Sequence, residues 1–188
     1  MIAASEFRKG SKFLYKDQPY VVAEFQHVKP GKGGAFVRTK MKNMISGLMH
    51  EETFRTEEKF PTPDLEYKKM QFLYSEDDNY YFMDQENYEQ EFFNKKELGE
   101  VINYLREQEV YNVMFFEAKP IEITPPTFME LKVTETVPGI RGDTAQGSVT
   151  KPATLESGLV LNIPLFVNEG DLIKVDTRDG SYIERVKK

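Results

Sequence analysis

Residues 29–36 read Lys-Pro-Gly-Lys-Gly-Gly-Ala-Phe and place one cationic side chain among residues that favour a tight turn. Lys32 lies at the centre and presents one long cationic side chain with no bulky neighbour. One proline fixes φ and three glycines adopt conformations that a Cβ would forbid: Pro30, Gly31, Gly33 and Gly34. The pattern is typical of a solvated turn, but it also suits a loop that carries a cation to a ligand. A nucleotide-binding loop is disfavoured, because Gly33 rather than Ser or Thr follows the lysine.

The runs on either side of this segment determine where the lysine lies. Residues 20–28 and 36–44 both have strand-like composition, so the segment between them is predicted to be the tip of a β-hairpin. Alternate residues of a strand point the same way, so Arg38, Lys40 and Lys42 are predicted to form a basic stripe on one face. Such a stripe is either an ordinary solvated face or a surface for RNA phosphates. The lysine at the hairpin tip favours the second interpretation.

Composition excludes several other kinds of site. The 188 residues include no cysteine, which excludes a disulfide framework, a thiolate metal site and a cysteine nucleophile, and agrees with a reducing cytoplasm. His27 and His50 lack partners at ligand spacing, so we expect no metal, and no motif indicates a cofactor. Charge comes too early at the N-terminus for a secretory signal, and no apolar run approaches a membrane span. We therefore expect a cytoplasmic protein that does not bind a membrane.

The net charge of −6 is unevenly distributed along the chain. Residues 1–63 carry 11 basic and 7 acidic groups, residues 64–127 carry 6 and 15, and residues 128–188 carry 8 and 9. A phosphate backbone would be attracted to the first segment and repelled by the second. An RNA partner is therefore expected at the N-terminal segment.

Two proline-containing junctions divide the chain into three predicted domains. Pro61-Thr62-Pro63 and Pro125-Pro126 interrupt the strand pattern, so the domains are placed at residues 1–63, 64–127 and 128–188. Each segment contains short strand-like runs separated by turn signals, which predicts an all-β protein of three small barrels. One short helix is expected, in the middle domain. It begins at a cap at Asn94 and has apolar residues at helical spacing: Leu98, Val101, Ile102 and Leu105.

Two other function classes were weighed against the RNA-binding loop. A hydrolase would need a convergent site, but adjacent acids such as Asp77 and Asp78 lie in a predicted turn without a nucleophile, so we expect no enzyme. A generic single-strand RNA-binding protein would combine basic and aromatic residues on one face. Here the lysines are concentrated in the first segment, whereas the aromatic residues are dense in the acidic middle segment, where they are expected to form the core.

Three motif regions resemble the bacterial elongation factor P family, in the right order and across the whole chain. The first is the loop Lys-Pro-Gly-Lys-Gly-x-Ala-Phe at residues 29–36. The second is the glycine-containing loop at residues 138–147. The third is Lys-Pro-Ala at residues 151–153 followed by Gly-Leu-Val-Leu-Asn-Ile-Pro-Leu-Phe-Val at residues 158–167, where Ile163 replaces the family's usual valine. The resemblance implies an SH3-like or KOW-like barrel followed by two OB-fold barrels, in an L-shaped outline similar to a tRNA.

The resemblance also implies a function and a set of site residues. Members of this family bind the bacterial ribosome between the P and E sites and stimulate peptide-bond formation, which relieves stalling at consecutive prolines. Lys32 would be the loop-tip lysine that approaches peptidyl-tRNA, extended by a lysine-modifying enzyme with a β-lysyl or aminopentanol group, or left unmodified. The other expected RNA contacts fall into three groups: Lys29, Arg38, Lys40 and Lys42 for tRNA and ribosomal RNA; Gly142, Asp143 and Thr144 for a small-subunit and codon loop; and Tyr182 and Arg185 elsewhere in the C-terminal domain. The protein is expected to act as a monomer.

Overall fold

A computed structural model describes residues 1–138 and 149–186. The described residues form sixteen β-strands in four sheets and one α-helix, which confirms the all-β prediction. They group into two compact units, residues 1–67 with 114–122 and residues 68–113 with those from 123 onward. The domain boundaries placed after residues 63 and 127 stay predictions. Within the described residues, no helix has the length and apolar character needed to span a membrane.

The N-terminal barrel contains a four-stranded sheet and a short two-stranded one. Its strands are β1 (Ile2–Ala3), β2 (Lys12–Tyr15), β3 (Gln18–Val28), β4 (Phe36–Asn43), β5 (Met49–Arg55) and β6 (Lys59–Phe60). The sheet order is β2-β3-β4-β5, and β1 pairs with β6. The two long strands therefore occupy the centre of the larger sheet.

Aromatic rings fill the core beneath this sheet. Phe7 and Phe13 are fully buried with ring centroids 4.6 Å apart, and Phe54 and Phe60 lie 4.8 Å apart with their rings edge to face. Offset and edge-to-face arrangements are the favourable geometries for aromatic pairs. Val37, on the inner face of β4, is buried in the same cluster. The core thus holds β4 in a fixed orientation, with one face inward and the other in solvent.

The predicted lysine-tipped hairpin is present. Strands β3 and β4 pair from Tyr20–Asn43 up to Val28–Phe36, so residues 29–35 form the connecting loop. Gly33 has φ of 108°, a region that residues with a Cβ rarely occupy. At the base of the loop, the carbonyl of Ala35 accepts hydrogen bonds from both the backbone N–H and the hydroxyl of Thr56, each at 3.3 Å. The loop is therefore fixed where it leaves the barrel.

A five-stranded sheet follows. Its strands are β7 (Leu65–Glu76), β8 (Asn79–Asp84), β9 (Gln90–Asn94), β10 (Val110–Phe116) and β11 (Lys119–Thr124), in the order β11-β10-β7-β8-β9. Phe82 is fully buried, and its ring lies 5.2 Å from those of Phe72 and Phe93. Six aromatic residues of this segment are buried and form its core, as the sequence predicts: Phe72, Phe82, Phe93, Tyr111, Phe115 and Phe116. Four others are exposed: Tyr67, Tyr74, Tyr88 and Phe92.

The predicted short helix is present and begins at the predicted cap. Asn94 accepts hydrogen bonds from the N–H groups of Lys96 and Glu97, and the Glu97 carboxylate accepts one from the N–H of Asn94. The α-helix α1 (Lys95–Leu98) then ends after four residues, because Gly99 adopts φ of 54° and residues 99–104 continue as a 3₁₀ helix. The hydroxyl of fully buried Tyr111 donates to the carbonyl of Tyr104 at 2.7 Å and accepts from the N–H of Arg106 at 3.0 Å. This buried anchor fixes the turn that follows the 3₁₀ helix.

The C-terminal strands form a second five-stranded sheet. They are β12 (Phe128–Thr136), β13 (Thr150–Leu155), β14 (Val160–Pro164), β15 (Leu172–Asp176) and β16 (Ser181–Arg185), in the order β14-β13-β12-β15-β16. Asp179-Gly180 forms the predicted turn between β15 and β16, with Gly180 at φ of 72°. Hydrogen bonds from the Arg178 side chain and backbone lower the pKa of Asp176 to about 2, so this carboxylate stays charged at neutral pH.

Substitution of Phe13 by alanine tests the dependence of the hairpin on the aromatic core. Phe13→Ala should lower the stability of the N-terminal barrel by about 3–5 kcal/mol, because it removes a fully buried ring and leaves a cavity. Native-state hydrogen exchange of the β3 and β4 amides measures the change. Phe92→Ala is the matched control, since that ring is 61% exposed and its loss should cost under about 1 kcal/mol. Equal protection of β3 and β4 in Phe13→Ala and the parent would contradict the assignment.

A pair of glycine substitutions tests the loop conformation. Gly33→Ala should strain the loop by about 1–3 kcal/mol, because alanine disfavours a φ of 108°. Gly34→Ala should be nearly neutral, since the added Cβ would meet no atom within 4 Å and φ lies outside the left-handed region. Backbone NMR shifts of residues 29–35 give the comparison. Identical spectra for the two variants would show that Gly33 does not determine the shape of the loop.

Candidate RNA interface on the N-terminal barrel

Strand pairing determines which side chains share the outer face of the N-terminal sheet. Along β4, Val37, Thr39, Met41 and Asn43 are buried, whereas Arg38, Lys40 and Lys42 are exposed. The predicted basic stripe is therefore present as a geometric feature. It follows from the two-residue repeat of a strand whose inner face is committed to the core.

The partners of β4 on both sides arrange this face in four rows across β3, β4 and β5. Starting from the loop, the rows are Val28–Phe36–Arg55, Gln26–Arg38–Thr53, Glu24–Lys40–Glu51 and Val21–Lys42–Met49. Successive rows lie about 7 Å apart, because they are two residues apart along the strand. We name these rows one to four.

The three cations of the stripe have different surroundings. The ammonium of Lys40 lies 3.0 Å from the carboxylate of Glu24, and this contact together with nearby Glu51 raises the pKa of Lys40. Arg38 has the uncharged partners Gln26 and Thr53, and Lys42 has the apolar partners Val21 and Met49. Arg38 and Lys42 are thus available to an anion, whereas Lys40 already has a partner.

Arg55 is an exposed cation that the sequence analysis missed. It lies in row one beside Phe36, nearer to the loop than Arg38. The two-residue repeat along β5 places Arg55 on the same face as Glu51 and Thr53, but the register that brings it next to β4 is not visible from β5 alone. Pairing the sequences of both strands around the turn would have identified it.

The loop itself presents its lysines to solvent. Lys29 and Lys32 are both exposed, as are Pro30, Gly31, Gly33 and Gly34. No bulky side chain is present within residues 29–34 to cover the Lys32 amine. The loop therefore carries a freely accessible primary amine at the end of an anchored hairpin.

The remaining predicted contacts have separate locations. Tyr182 lies on β16, half-buried, and burial raises its pKa. Arg185 is exposed; its guanidinium lies 3.5 Å from the carboxylate of Asp171 and 5.6 Å from the centre of the Phe166 ring. Gly142, Asp143 and Thr144 lie outside the described residues. In residues 1–138 and 149–186, no three histidine or carboxylate side chains come together as a metal site would require.

Models of protein families match the chain in three consecutive parts. The Elongation factor P KOW-like domain matches residues 3–60, the Elongation factor P OB domain matches residues 65–123, and the Elongation factor P C-terminal domain matches residues 129–185. The candidate interface lies entirely within the first of these.

Curated relatives match along their whole length. Elongation factor P of Alkaliphilus oremlandii is 52% identical over 186 residues, covering 99% of this chain and 100% of the relative. Elongation factor P of Clostridioides difficile is 50% identical over 186 residues with the same coverage.

Among solved structures, a translation initiation factor 5A from Methanococcus jannaschii superposes with a TM-score of 0.57. It is 21% identical to this chain and covers 66% of it, while 93% of that structure is matched, so this likeness concerns the fold. The three consecutive domain matches and the full-length relatives are stronger evidence, and they show that the chain belongs to the elongation factor P family of translation elongation factors.

Proposed function

We propose that this translation elongation factor binds the bacterial ribosome between the P and E sites and stimulates peptide-bond formation at consecutive prolines. The observation that carries the proposal is Lys32, an exposed amine at the tip of a hairpin whose base is anchored to the barrel. In this role the amine lies beside the end of peptidyl-tRNA. The ribosome supplies the chemistry, and the factor is not an enzyme.

The proposed contribution of Lys32 is to restrict the geometry of the substrate. Proline is a poor participant in peptide-bond formation because its ring fixes φ and limits the approach of the reacting groups. A cation held beside the tRNA end reduces the freedom of the substrate and favours a near-attack geometry. This requires a reaching side chain on a fixed base, which the anchored loop supplies.

The outer face of the β3–β4–β5 sheet would hold the factor on RNA. Phosphate contacts position a protein without reading sequence, and guanidinium groups suit them best because they donate two parallel hydrogen bonds. Arg38 and Arg55 lie in the two rows nearest the loop and have uncharged partners across the sheet. Lys29 extends the cationic surface on the side of the loop. Lys40 contributes less because of Glu24, and Lys42 is a further cation beyond that row.

A modifying enzyme would act on Lys32. The amine is exposed and its neighbours are glycines, so an enzyme could enclose it without displacing a side chain. The added group would lengthen the reach of the cation. Intact-mass measurement of protein purified from its own source identifies the group, and an unmodified mass would contradict the proposed modification.

The C-terminal domain would add contacts to the small subunit. Gly142, Asp143 and Thr144 are proposed for the codon-proximal contact from their match to the family. Tyr182 and Arg185 are weaker candidates, since Tyr182 is half-buried and Arg185 is partly engaged by Asp171. We propose that the factor acts as a monomer in the cytoplasm.

The runner-up function is generic single-strand RNA binding by the middle sheet. Tyr74 and Tyr81 stack at 4.7 Å, and Phe92 lies beside Tyr81 across the next pair of strands. The rows next to these rings contain Gln71, Met83 and Gln90 on one side and Glu76, Asn79 and Asn94 on the other. A base-stacking surface normally has cations for the phosphates. None of these six neighbours is cationic, so this face is the poorer candidate.

Substitution of Lys32 tests the proposed role directly. Lys32→Ala should leave folding intact, because the side chain is exposed, and should reduce rescue of a polyproline reporter on the order of tenfold to a hundredfold. Lys9→Ala removes the same charge from another exposed position of the barrel and serves as the control. Full rescue by Lys32→Ala would refute the role assigned to this amine.

Salt dependence tests the phosphate contacts. Ribosome affinity should fall with rising salt, and Arg38→Gln should reduce the slope of log affinity against log salt by about 0.7–0.9, the contribution of one phosphate contact. Lys40→Gln should reduce it by less, since Glu24 already neutralises that ammonium. Co-sedimentation with ribosomes across a salt series measures both. A salt-independent affinity would exclude this face from RNA binding.

A further inference from the structure

Row three of the N-terminal face is the one row that contains carboxylates. Glu24 and Glu51 lie on either side of Lys40, on the two neighbouring strands. Glu24 contacts the ammonium directly at 3.0 Å, and Glu51 acts on it electrostatically. The row has one positive and two negative charges, in the middle of what the sequence predicts as a basic stripe.

The rows nearer to the loop have the opposite character. Row one contains Arg55 and row two contains Arg38, and every other member of these rows is uncharged. Two guanidinium groups therefore lie between the loop and the acidic row. The electrostatic character of the face changes from cationic to net negative within about 7 Å, the spacing of adjacent rows.

We propose that Glu24 and Glu51 limit RNA phosphates to the two rows next to the loop and so set the position of the RNA relative to Lys32. Carboxylates repel phosphates, so RNA placed over row three is disfavoured, whereas RNA placed over rows one and two is not. The acidic row therefore determines where the RNA binds more than how tightly it binds. The inference rests on the proposed function in one respect: it takes RNA as the partner of this face.

The consequence is a fixed register between the barrel and its RNA. Without the acidic row, a phosphate backbone could bind Arg38, Lys40 and Lys42 equally well, since phosphate contacts carry no sequence information. A shift by one row would displace the loop tip by about 7 Å relative to the RNA. Repulsion at row three removes that alternative and keeps the backbone beside Arg38 and Arg55.

A purely structural role for the ion pair is the competing explanation. The side chains of Lys40 and Glu24 are 50% and 71% exposed, and exposed pairs contribute little to stability because water and salt screen them. Removing the carboxylates should therefore leave the fold unchanged. This makes binding measurements on the variants interpretable.

The test compares two partners for the double variant Glu24→Gln/Glu51→Gln: a short RNA hairpin of unrelated sequence, and bacterial ribosomes. For the hairpin we expect affinity to rise about threefold to tenfold and the salt slope to steepen by about 0.7–0.9, because Lys40 becomes available for one more phosphate. For the ribosome we expect a smaller gain, so that the preference for ribosomes over the hairpin falls. The proposal would be overturned if the salt slope for the RNA hairpin and the preference for ribosomes over the hairpin were both unchanged.

Two controls isolate the position of the charges from their number. The double variant Asp64→Asn/Glu122→Gln changes the net charge by the same amount as Glu24→Gln/Glu51→Gln, but at exposed positions outside this sheet. Its slope of log affinity against log salt for the RNA hairpin should equal that of the parent. Adding Lys40→Gln to the double variant Glu24→Gln/Glu51→Gln should return the salt slope to that of the parent, since the extra phosphate contact depends on the released ammonium. A slope that stays steeper without Lys40 would contradict the release of this ammonium.

The outcomes also separate this inference from the proposed function. Full polyproline rescue by Lys32→Ala would refute the role of the loop, yet the hairpin titration would still report whether row three excludes phosphates. Conversely, an unchanged salt slope for the RNA hairpin together with an unchanged preference for ribosomes would refute the role of Glu24 and Glu51 while leaving the Lys32 experiment unaffected.

Discussion

The candidate interface depends on one constraint, the commitment of the inner face of β4 to the aromatic core. Val37 and Met41 are fully buried, and a strand cannot turn these residues inward without turning Arg38, Lys40 and Lys42 outward. A shift of register by one residue would place three cations in an apolar core, at a cost far beyond the stability of a small domain. The same strand pairing therefore determines both which residues of β4 pack in the core and which cations are exposed to solvent. The same pairing extends to Val28 and Phe36, where the loop begins, so it also fixes the base of the lysine-bearing tip.

The face gains its character from three consecutive strands whose side chains meet only when the strands pair. Lys40 lies opposite Glu24 and Glu51, 16 residues before it in one case and on the following strand in the other. Arg55 reaches the edge of the loop through the same sheet. A stripe that looks uniformly basic along one strand therefore varies in charge once its neighbours are in place. It is cationic in the two rows beside the loop, net negative in row three and cationic again at Lys42 in row four. Under the proposed binding to RNA phosphates this variation matters, because phosphate contacts alone do not define a position.

The parts of the fold that were predicted correctly depend on local chemistry. The structure shows four features that depend only on a few neighbouring residues. They are the alternation along the strands, the glycines of the loop, the cap at Asn94 and the turn at Asp179-Gly180. The short helix after Asn94 is also present, but it changes from α to 3₁₀ conformation at residue 99. The apolar spacing of Leu98, Val101, Ile102 and Leu105 does not distinguish between these two conformations. Gly99 ends the α-helix, and the hydroxyl of Tyr111 holds the backbone at Tyr104 and Arg106. That anchor comes from a later strand, so no window around residues 95–105 contains it.

By itself, the sequence determined that the chain is a series of small β-barrels, that Lys32 lies at a hairpin tip, and that the motifs are those of the elongation factor P family. These properties follow from residue type and short-range spacing. Only the tertiary structure decided which cations of the outer face are available, because availability depends on cross-strand neighbours: Glu24 and Glu51 engage Lys40, while Arg38 and Arg55 face uncharged partners. Electrostatic interaction is a matter of distance in space, and pairing of β3, β4 and β5 brings together charges that the linear sequence keeps apart.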